Sequence, residues 1–410
     1  MKTMQSPSYP KKKFLINVVT GNSGGGHIAT SNAISSIIEQ QLPCQTSVTD
    51  VDVLAQRLAE GQKTLDIYRL FGTSGDQVLN QIMQSGWTWI HHLMMPFNKL
   101  LIKLNHDAGV RIFEEHWREQ QPDMVVSVVP LFNKMIWESL QRVKPDTPLV
   151  TILTDFADFP SAYWIEPETG SYIVCGTQKA VEQARSLGVK EELIVKTSGL
   201  VINPRFYEPI VSDRAQERQR LGLDPDCLTG LVLFGGNGSK VMLEIAKRLE
   251  SFQQKLQLIF ICGRNEELAL ALRESQALQK RFVTTFTKDI PYYMHLSDFL
   301  IGKPGPGSIS EALVMKLPVI VERSAATMPQ ERYNTDWIQQ QQVGLVIRSF
   351  RDIDRAVEQF LEPENFACYR ANVAAVNNRA VFEVPDILQK ILANNYKTTK
   401  TTVAEPLQQR

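Results

Sequence analysis

Two glycine-rich turns set the limits on what this chain can fold into. The first is Gly21-Asn22-Ser23-Gly24-Gly25-Gly26-His27, and the second is Lys303-Pro304-Gly305-Pro306-Gly307-Ser308-Ile309-Ser310-Glu311. Each follows a short apolar run that reads as a buried strand, Phe14 to Val19 in one case and Phe299 to Ile301 in the other, and each opens a helix. Glycine lets the backbone approach a ligand closely, and the free N–H groups and positive dipole end of a helix start favour an anion. Such sites in separate halves of one chain imply a cleft that handles phosphorylated ligands.

The surrounding pattern fixes the fold class. Strand-like runs at Phe14 to Val19, Thr46 to Val51, Met124 to Val129, Leu149 to Leu153, Tyr172 to Cys175 and Leu193 to Thr197 alternate with helical segments such as His27 to Gln40 and Lys179 to Leu187. A second series runs through Gly230 to Phe234, Leu256 to Cys262, Phe282 to Phe286, Phe299 to Ile301, Val319 to Val321 and Leu345 to Ile347. Near-continuous Val, Ile and Leu strands separated by helices predict parallel sheets covered on both faces. The chain therefore reads as α/β, two doubly wound Rossmann-like domains facing across a cleft, with ligands beyond the carboxyl ends of the strands. Gly199-Leu200-Val201-Ile202-Asn203-Pro204-Arg205 breaks the alternation, which places the boundaries at 1–204, 205–380 and a C-terminal helix with a disordered tail over 381–410, disorder beginning near Tyr396. A length of 410 residues suits two such units at about 150 residues or more each.

Charge and cysteine content narrow the partners. The 44 basic and 44 acidic side chains cancel, so no global field argues for nucleic acid. Five scattered cysteines with no C-x-x-C pair argue against a zinc site or disulfide framework and fit a reducing, cytoplasmic setting. No stretch reaches the ~18 apolar residues of a membrane span.

Three clusters carry candidate chemistry. His27 stands at a helix start, where the dipole disfavours a protonated imidazole, and a neutral imidazole there is suited to accept a hydroxyl proton; the bland reading is a polar residue capping the turn. Glu311 lies about one helical turn beyond Gly307, so its carboxylate folds back to accept from a ribose diol while the N–H groups of Gly307 and Ser308 face phosphate. The S-x-x-E spacing of Ser308 and Glu311 also predicts a capping box. Gln330 and Glu331, with Asn334, offer donors and acceptors for sugar hydroxyls, though alone such a pair is usually a solvated helix start.

Taken in order, the first turn with His27, Pro122-Asp123-Met124-Val125-Val126-Ser127-Val128-Val129-Pro130-Leu131, Thr154-Asp155-Phe156, Gly199-Leu200 with Asn203-Pro204, Gly305 to Ala312 and Gln330-Glu331-x-x-Asn334 resemble a glycosyltransferase family. It contains plant monogalactosyldiacylglycerol synthases, bacterial processive diacylglycerol glucosyltransferases and, more distantly, the lipid II-forming N-acetylglucosaminyltransferase. The likeness covers most of residues 14 to 380. It implies the GT-B fold and an inverting transfer of galactose or glucose from a UDP-sugar to diacylglycerol or a related lipid, with no metal and no cofactor beyond the donor. It implies His27 as base and Glu311 as ribose ligand, with Gln330, Glu331 and Asn334 on the donor sugar. Gly236, Ser239, Gly305, Gly307 and Ser308 then lie by the diphosphate, and Gly24, Gly25, Gly26 and Asp155 on the acceptor side. Ile28 and Phe159-Pro160-Ser161-Ala162-Tyr163-Trp164 depart from the family pattern, on the acceptor side.

Two further signals remain. Asp50-Val51-Asp52 spells a metal-binding D-x-D triad, but at the end of a second strand Asp50 reads as a strand-end residue. The Trp87 to Leu104 segment, with Trp89 and Phe97 and nearby lysines, suits either insertion at a membrane interface or the buried face of two helices. A peripheral protein on the cytoplasmic face of a membrane is the expectation. Another UDP-sugar enzyme, either a peptidoglycan-type transferase or a sugar-nucleotide epimerase, and a non-catalytic nucleotide-sugar or lipid binder are the alternatives.

Overall fold

The computed structural model describes residues 13–21, 26–54, 100, 102–252, 254–275, 277–325 and 327–403. Trp87, Trp89, Phe97, Gly24 and Gly25 fall outside them.

All twelve expected strands form. The first lobe holds β1 (Phe14–Thr20), β2 (Cys44–Asp50), β3 (Met124–Ser127), β4 (Leu149–Ile152), β5 (Tyr172–Cys175) and β6 (Ile194–Lys196). The second holds β7 (Leu228–Leu233), β8 (Leu256–Ile261), β9 (Arg281–Thr284), β10 (Phe299–Gly302), β11 (Val319–Glu322) and β12 (Gly344–Ile347). Every pairing is parallel, in the orders β2-β1-β3-β4-β5-β6 and β12-β11-β10-β7-β8-β9. The central strands β3, β4 and β8 are buried along their whole length because helices cover both faces. Edge strand β2 is only partly covered, with Gln45 and Val48 exposed.

Each sheet reverses its strand order at one place. In the first lobe β1 is flanked by β2 and β3, and in the second β7 is flanked by β8 and β10. Strands that diverge from such a point leave a crevice beyond their carboxyl ends, where a ligand meets backbone from two loops at once. His27 follows β1, the Gly235–Ser239 turn follows β7, and the Gly305–Glu311 segment follows β10. The glycine turns therefore occupy both switch points.

The lobes are joined by packing and by two crossings. Phe156, Leu200 and Ile202 from the first lobe share one buried cluster with Leu231, Leu300 and Ile338 of the second. Phe156 meets the Trp337 ring edge-on, centroids 4.9 Å apart. Where the chain crosses forward at 198–203 and back at 376–379, Asn378 Nδ2 donates to Leu200 O at 2.9 Å and Arg379 N to Ser198 Oγ at 2.7 Å. The final helix, Ala380–Val403, then returns to the first lobe, burying Val381, Val384 and Leu388 against Ile16, Val18 and Ile34. This corrects the expectation of disorder from Tyr396, since the helix continues to Val403. Extending a helix already nucleated by packing costs little per residue, even for a polar sequence.

Candidate active site

At the first switch point, β1 ends at Thr20, and a Cβ on the next residue, Gly21, would come within 3.3 Å of Val51 Cγ2 and 3.4 Å of Val129 Cγ1. Gly26 and His27 then open the Gly26–Gln41 helix. His27 Nδ1 lies 2.8 Å from the carbonyl oxygen of Val128, just past the end of β3. A carbonyl only accepts, so Nδ1 carries the hydrogen and Nε2 holds the lone pair of the neutral ring. Thr154 Oγ1 lies 3.3 Å from the same Nδ1, and the Trp164 ring sits 5.7 Å away, tilted at 49°. Burial pulls the imidazole below its ordinary pKa, and the Val128 carbonyl only partly opposes this. His27 is thus a neutral ring of fixed tautomer.

Asp155 sits beside it, 8% exposed, and accepts the Trp164 indole N–H at 2.8 Å. Burial raises its carboxyl to about 7 against the indole bond, with the charges of Glu331 and Asp158 adding to the rise. Glu331 belongs to the other lobe, so this effect marks where the two lobes face each other. Asp50 ends β2, and its Oδ1 accepts from Asp52 N at 2.9 Å, a strand-end arrangement as expected. Among the described residues, no three His, Cys, Asp or Glu side chains gather as metal ligands.

In the second lobe, three elements converge at the β7–β10 switch point. Gly238 and Gly263 hold φ of +62° and +60°, and a Cβ on Gly263 would lie 2.3 Å from Gly236 O, so the turn after β7 locks onto the end of β8 only with glycine at both places. Arg264 N donates to Gly236 O at 2.8 Å. Ser239 Oγ accepts from Val241 N at 3.4 Å at the start of the Val241–Arg248 helix.

After β10, Gly305 caps the Pro306–Val314 helix with Pro306 at its first turn and no side-chain cap. The expected capping box is therefore absent: Ser308 lies within the first turn, where its own backbone is already helical and its hydroxyl is not placed to cap. Gly307 has nothing within 4 Å of where a Cβ would stand, so the first-turn backbone faces open space. Glu311 is partly buried without a charged or hydrogen-bonding partner among the described residues, and burial alone lifts its carboxyl to about 8.

The third element is the Pro329–Gln341 helix. Glu331 is 6% exposed and lies 3.6 Å from Lys303 Nζ. Gln330 Nε2 lies 3.6 Å from Met328 Sδ, and its Oε1 is buried without a hydrogen bond. Asn334, expected on the donor itself, is fully buried and donates through Nδ2 to Pro304 O at 2.8 Å. Its Nδ2 thus ties the helix to the backbone of the glycine turn, while its Oδ1 is buried without a hydrogen bond among the described residues.

Sequence reasoning passed over three side chains. Lys303 runs between the two turns, its Cε within 3.8 Å and 3.5 Å of where Cβ atoms on Gly235 and Gly305 would stand. Arg264 lies beside Gly236, with its guanidinium 4.8 Å over the ring of Phe286, itself half exposed. Trp164 joins His27 to Asp155. The signal for the first two was available: each follows a buried strand within three residues and adjoins a glycine.

With this geometry in view, known proteins give a consistent answer. Residues 27–202 match the family described as monogalactosyldiacylglycerol (MGDG) synthase, and residues 231–391 match the glycosyltransferase family 28 C-terminal domain. The chain is a glycosyltransferase of this combined type. It is 25% identical over 84% of its length to monogalactosyldiacylglycerol synthase 2, chloroplastic, of Arabidopsis thaliana, covering 73% of that protein. It is 27% identical over 74% of its length to a probable synthase 2 of Oryza sativa subsp. japonica, covering 64% of that one. MurG of Acinetobacter baumannii superposes with a TM-score of 0.60 at 12% identity, over 92% of this glycosyltransferase and 100% of that chain. The fold is GT-B. Among the described residues, no helix of this glycosyltransferase is long and apolar enough to cross a membrane.

Proposed function

We propose that this glycosyltransferase moves a hexose, galactose or glucose, from a UDP-sugar to a hydroxyl of diacylglycerol or a related membrane lipid, inverting the anomeric centre. The observation that carries this reading is the chain of contacts that links the two switch points across the lobes. Trp164 touches His27 with its ring and Asp155 with its indole, and Asp155 feels the charge of Glu331 beside the donor turns.

The steps follow from the groups available. The acceptor oxygen forms a bond to C1 of the sugar as the bond from C1 to the β-phosphate oxygen breaks, and UDP leaves with that electron pair. The acceptor proton passes to His27 Nε2 and then to solvent. The charge on the departing diphosphate meets the first-turn N–H groups of Gly307 and Ser308, the Gly236–Ser239 turn and the ammonium of Lys303. Glu311 accepts from the ribose hydroxyls, Gln330 and Glu331 hold the sugar, and Asn334 supports the turn. Gly26 and Asp155 border the acceptor. Attack from the His27 side, opposite the leaving diphosphate, requires inversion. The names of the matching relatives support the lipid acceptor, and a peripheral position at a membrane surface follows from it.

The test is a donor-by-acceptor matrix with diacylglycerol mixed micelles and radiolabelled UDP-galactose and UDP-glucose. A β-linked glycolipid that disappears with His27→Ala is the expected product. Turnover of UDP-N-acetylglucosamine without acceptor, or UDP binding with turnover indifferent to His27→Ala, overturns the reading.

A further inference from the structure

Trp164 is held more completely than a buried core residue requires. Its backbone N donates to Asp158 Oδ1 at 2.6 Å, and its carbonyl accepts from Asn133 Nδ2 at 2.9 Å. Asp158 also accepts from Ala162 N and Tyr163 N, each at 2.9 Å, while its own backbone pairs with the Gln183 amide at both N and O. The path of the 158–164 loop is therefore fixed by hydrogen bonds to its backbone, none of which uses the Trp164 side chain. What the side chain adds is separate. The fully buried indole donates to Asp155 Oδ2 at 2.8 Å, and its ring lies 5.7 Å from that of His27 at a tilt of 49°.

A histidine ring pinned at one nitrogen still rocks about that bond. The hydrogen bond from His27 Nδ1 to Val128 O sets the tautomer, and Thr154 Oγ1 lies near the same nitrogen, so both polar contacts fall on one edge. Neither one fixes the direction of Nε2. A flat aromatic surface against the imidazole does, provided the surface is itself held, and the bond to Asp155 holds it. We propose that Trp164 is the positioning residue for His27, its indole locked by Asp155 so that Nε2 is aimed at the acceptor hydroxyl.

The inference rests on His27 being the base, and it adds what keeps the base aligned. It also ties the acceptor side to the donor side, because the carboxyl that locks Trp164 is the one facing Glu331. The titratable groups around this set are Asp158 and Tyr163 on the same loop and Glu331 from the facing helix, with Lys303 3.6 Å from Glu331. Misalignment of a general base by a fraction of an ångström lowers turnover without altering binding of a ligand held elsewhere.

Trp164→Phe keeps an aromatic ring and deletes the indole N–H. Its kcat is expected to fall about tenfold, with KM for the UDP-sugar within about twofold of wild type. The acid limb of kcat/KM moves to higher pH, because water reaching the smaller ring's vacated space hydrates the imidazolium and relieves the burial that lowers its pKa. Asp155→Asn keeps an oxygen that accepts the indole N–H and is expected to retain severalfold more activity than Asp155→Leu, a comparison that decides the matter if Trp164→Phe does not fold. UDP affinity by calorimetry and melting temperature separate alignment from collapse. If His27→Ala abolishes transfer while Trp164→Phe leaves kcat and the acid limb unchanged, or Asp155→Asn is no better than Asp155→Leu, the positioning role is wrong and the base stands. If His27→Ala itself retains activity, the base reading fails first.

Discussion

The buried amide of Asn334 donates to the carbonyl of Pro304 at 2.8 Å, fastening the Pro329–Gln341 helix to the turn that follows β10. Replacing Asn334 with Ala strands a buried carbonyl and is expected to cost about 1–3 kcal/mol of stability. The consequence for function is one-sided: KM for the UDP-sugar rises while KM for the lipid acceptor stays put, since the acceptor side hangs from other strands. Melting curves with and without UDP, together with the two KM values, measure this. An unchanged donor KM sinks the supporting role.

Lys303 presents a second handle on the donor. Its ammonium lies 3.6 Å from the Glu331 carboxylate, and its stem runs between the Gly235 and Gly305 turns. Charged hydrogen bonds are worth about 1.5–3 kcal/mol, so Lys303→Met is expected to weaken UDP binding by about 10- to 150-fold, and uridine binding far less. Calorimetry with the two ligands reads the difference. Equal losses for both would show that the lysine supports the fold and does not meet phosphate.

Much of this was legible in the chain. Twelve strands were readable because parallel strands covered on both faces leave near-continuous apolar runs such as Leu258 to Ile261. The glycine turns were readable because φ values such as that of Gly238 exclude most other residues. Trp164 was not, for a physical reason: its meaning lies in partners 9 and 137 positions away, Asp155 and His27, which only the closed sheet brings together. The bond from Asn334 to Pro304 O was not readable either, because sequence gives a residue's neighbourhood and not the direction of its side chain. The C-terminal helix was expected; its extent past Tyr396 was not, because polarity was read without the packing that nucleates it.

Two glycines separate ligand contact from fold maintenance. At Gly263 a Cβ would stand 2.3 Å from Gly236 O with φ at +60°, so Gly263→Ala is expected to lower stability by about 1–3 kcal/mol and to disturb the donor turn with it. At Gly307 nothing lies within 4 Å of a Cβ, and the residue is helical, so Gly307→Ala is expected to hold or raise the melting temperature. On the proposed donor site the added methyl points into the space the diphosphate would take, so UDP affinity is expected to drop at least tenfold all the same. A Gly307→Ala protein that binds UDP normally would remove the helix start from the site.

The two buried carboxyls predict how stability varies with pH. Asp155 is raised to about 7 and Glu311 to about 8, both chiefly by burial, from ordinary values of 3.8 and 4.5. Below about pH 3 folded and unfolded chains hold these protons alike. As pH rises, the unfolded carboxyls ionise first while the folded ones keep their protons, so the unfolded chain binds fewer protons and stability falls until the pH passes about 8. Other groups slope differently, so the measurement is a difference. Asp155→Asn and Glu311→Gln should each gain melting temperature relative to wild type between pH 5 and pH 8, and the gain should level off above the folded value, earlier for Asp155 than for Glu311. Donor binding should shrink the wild-type slope contributed by Glu311, since a ribose diol hydrogen bonded to the carboxylate offsets its burial. Melting curves that stay parallel across that range for both variants would mean that neither carboxyl is buried in the ligand-free protein.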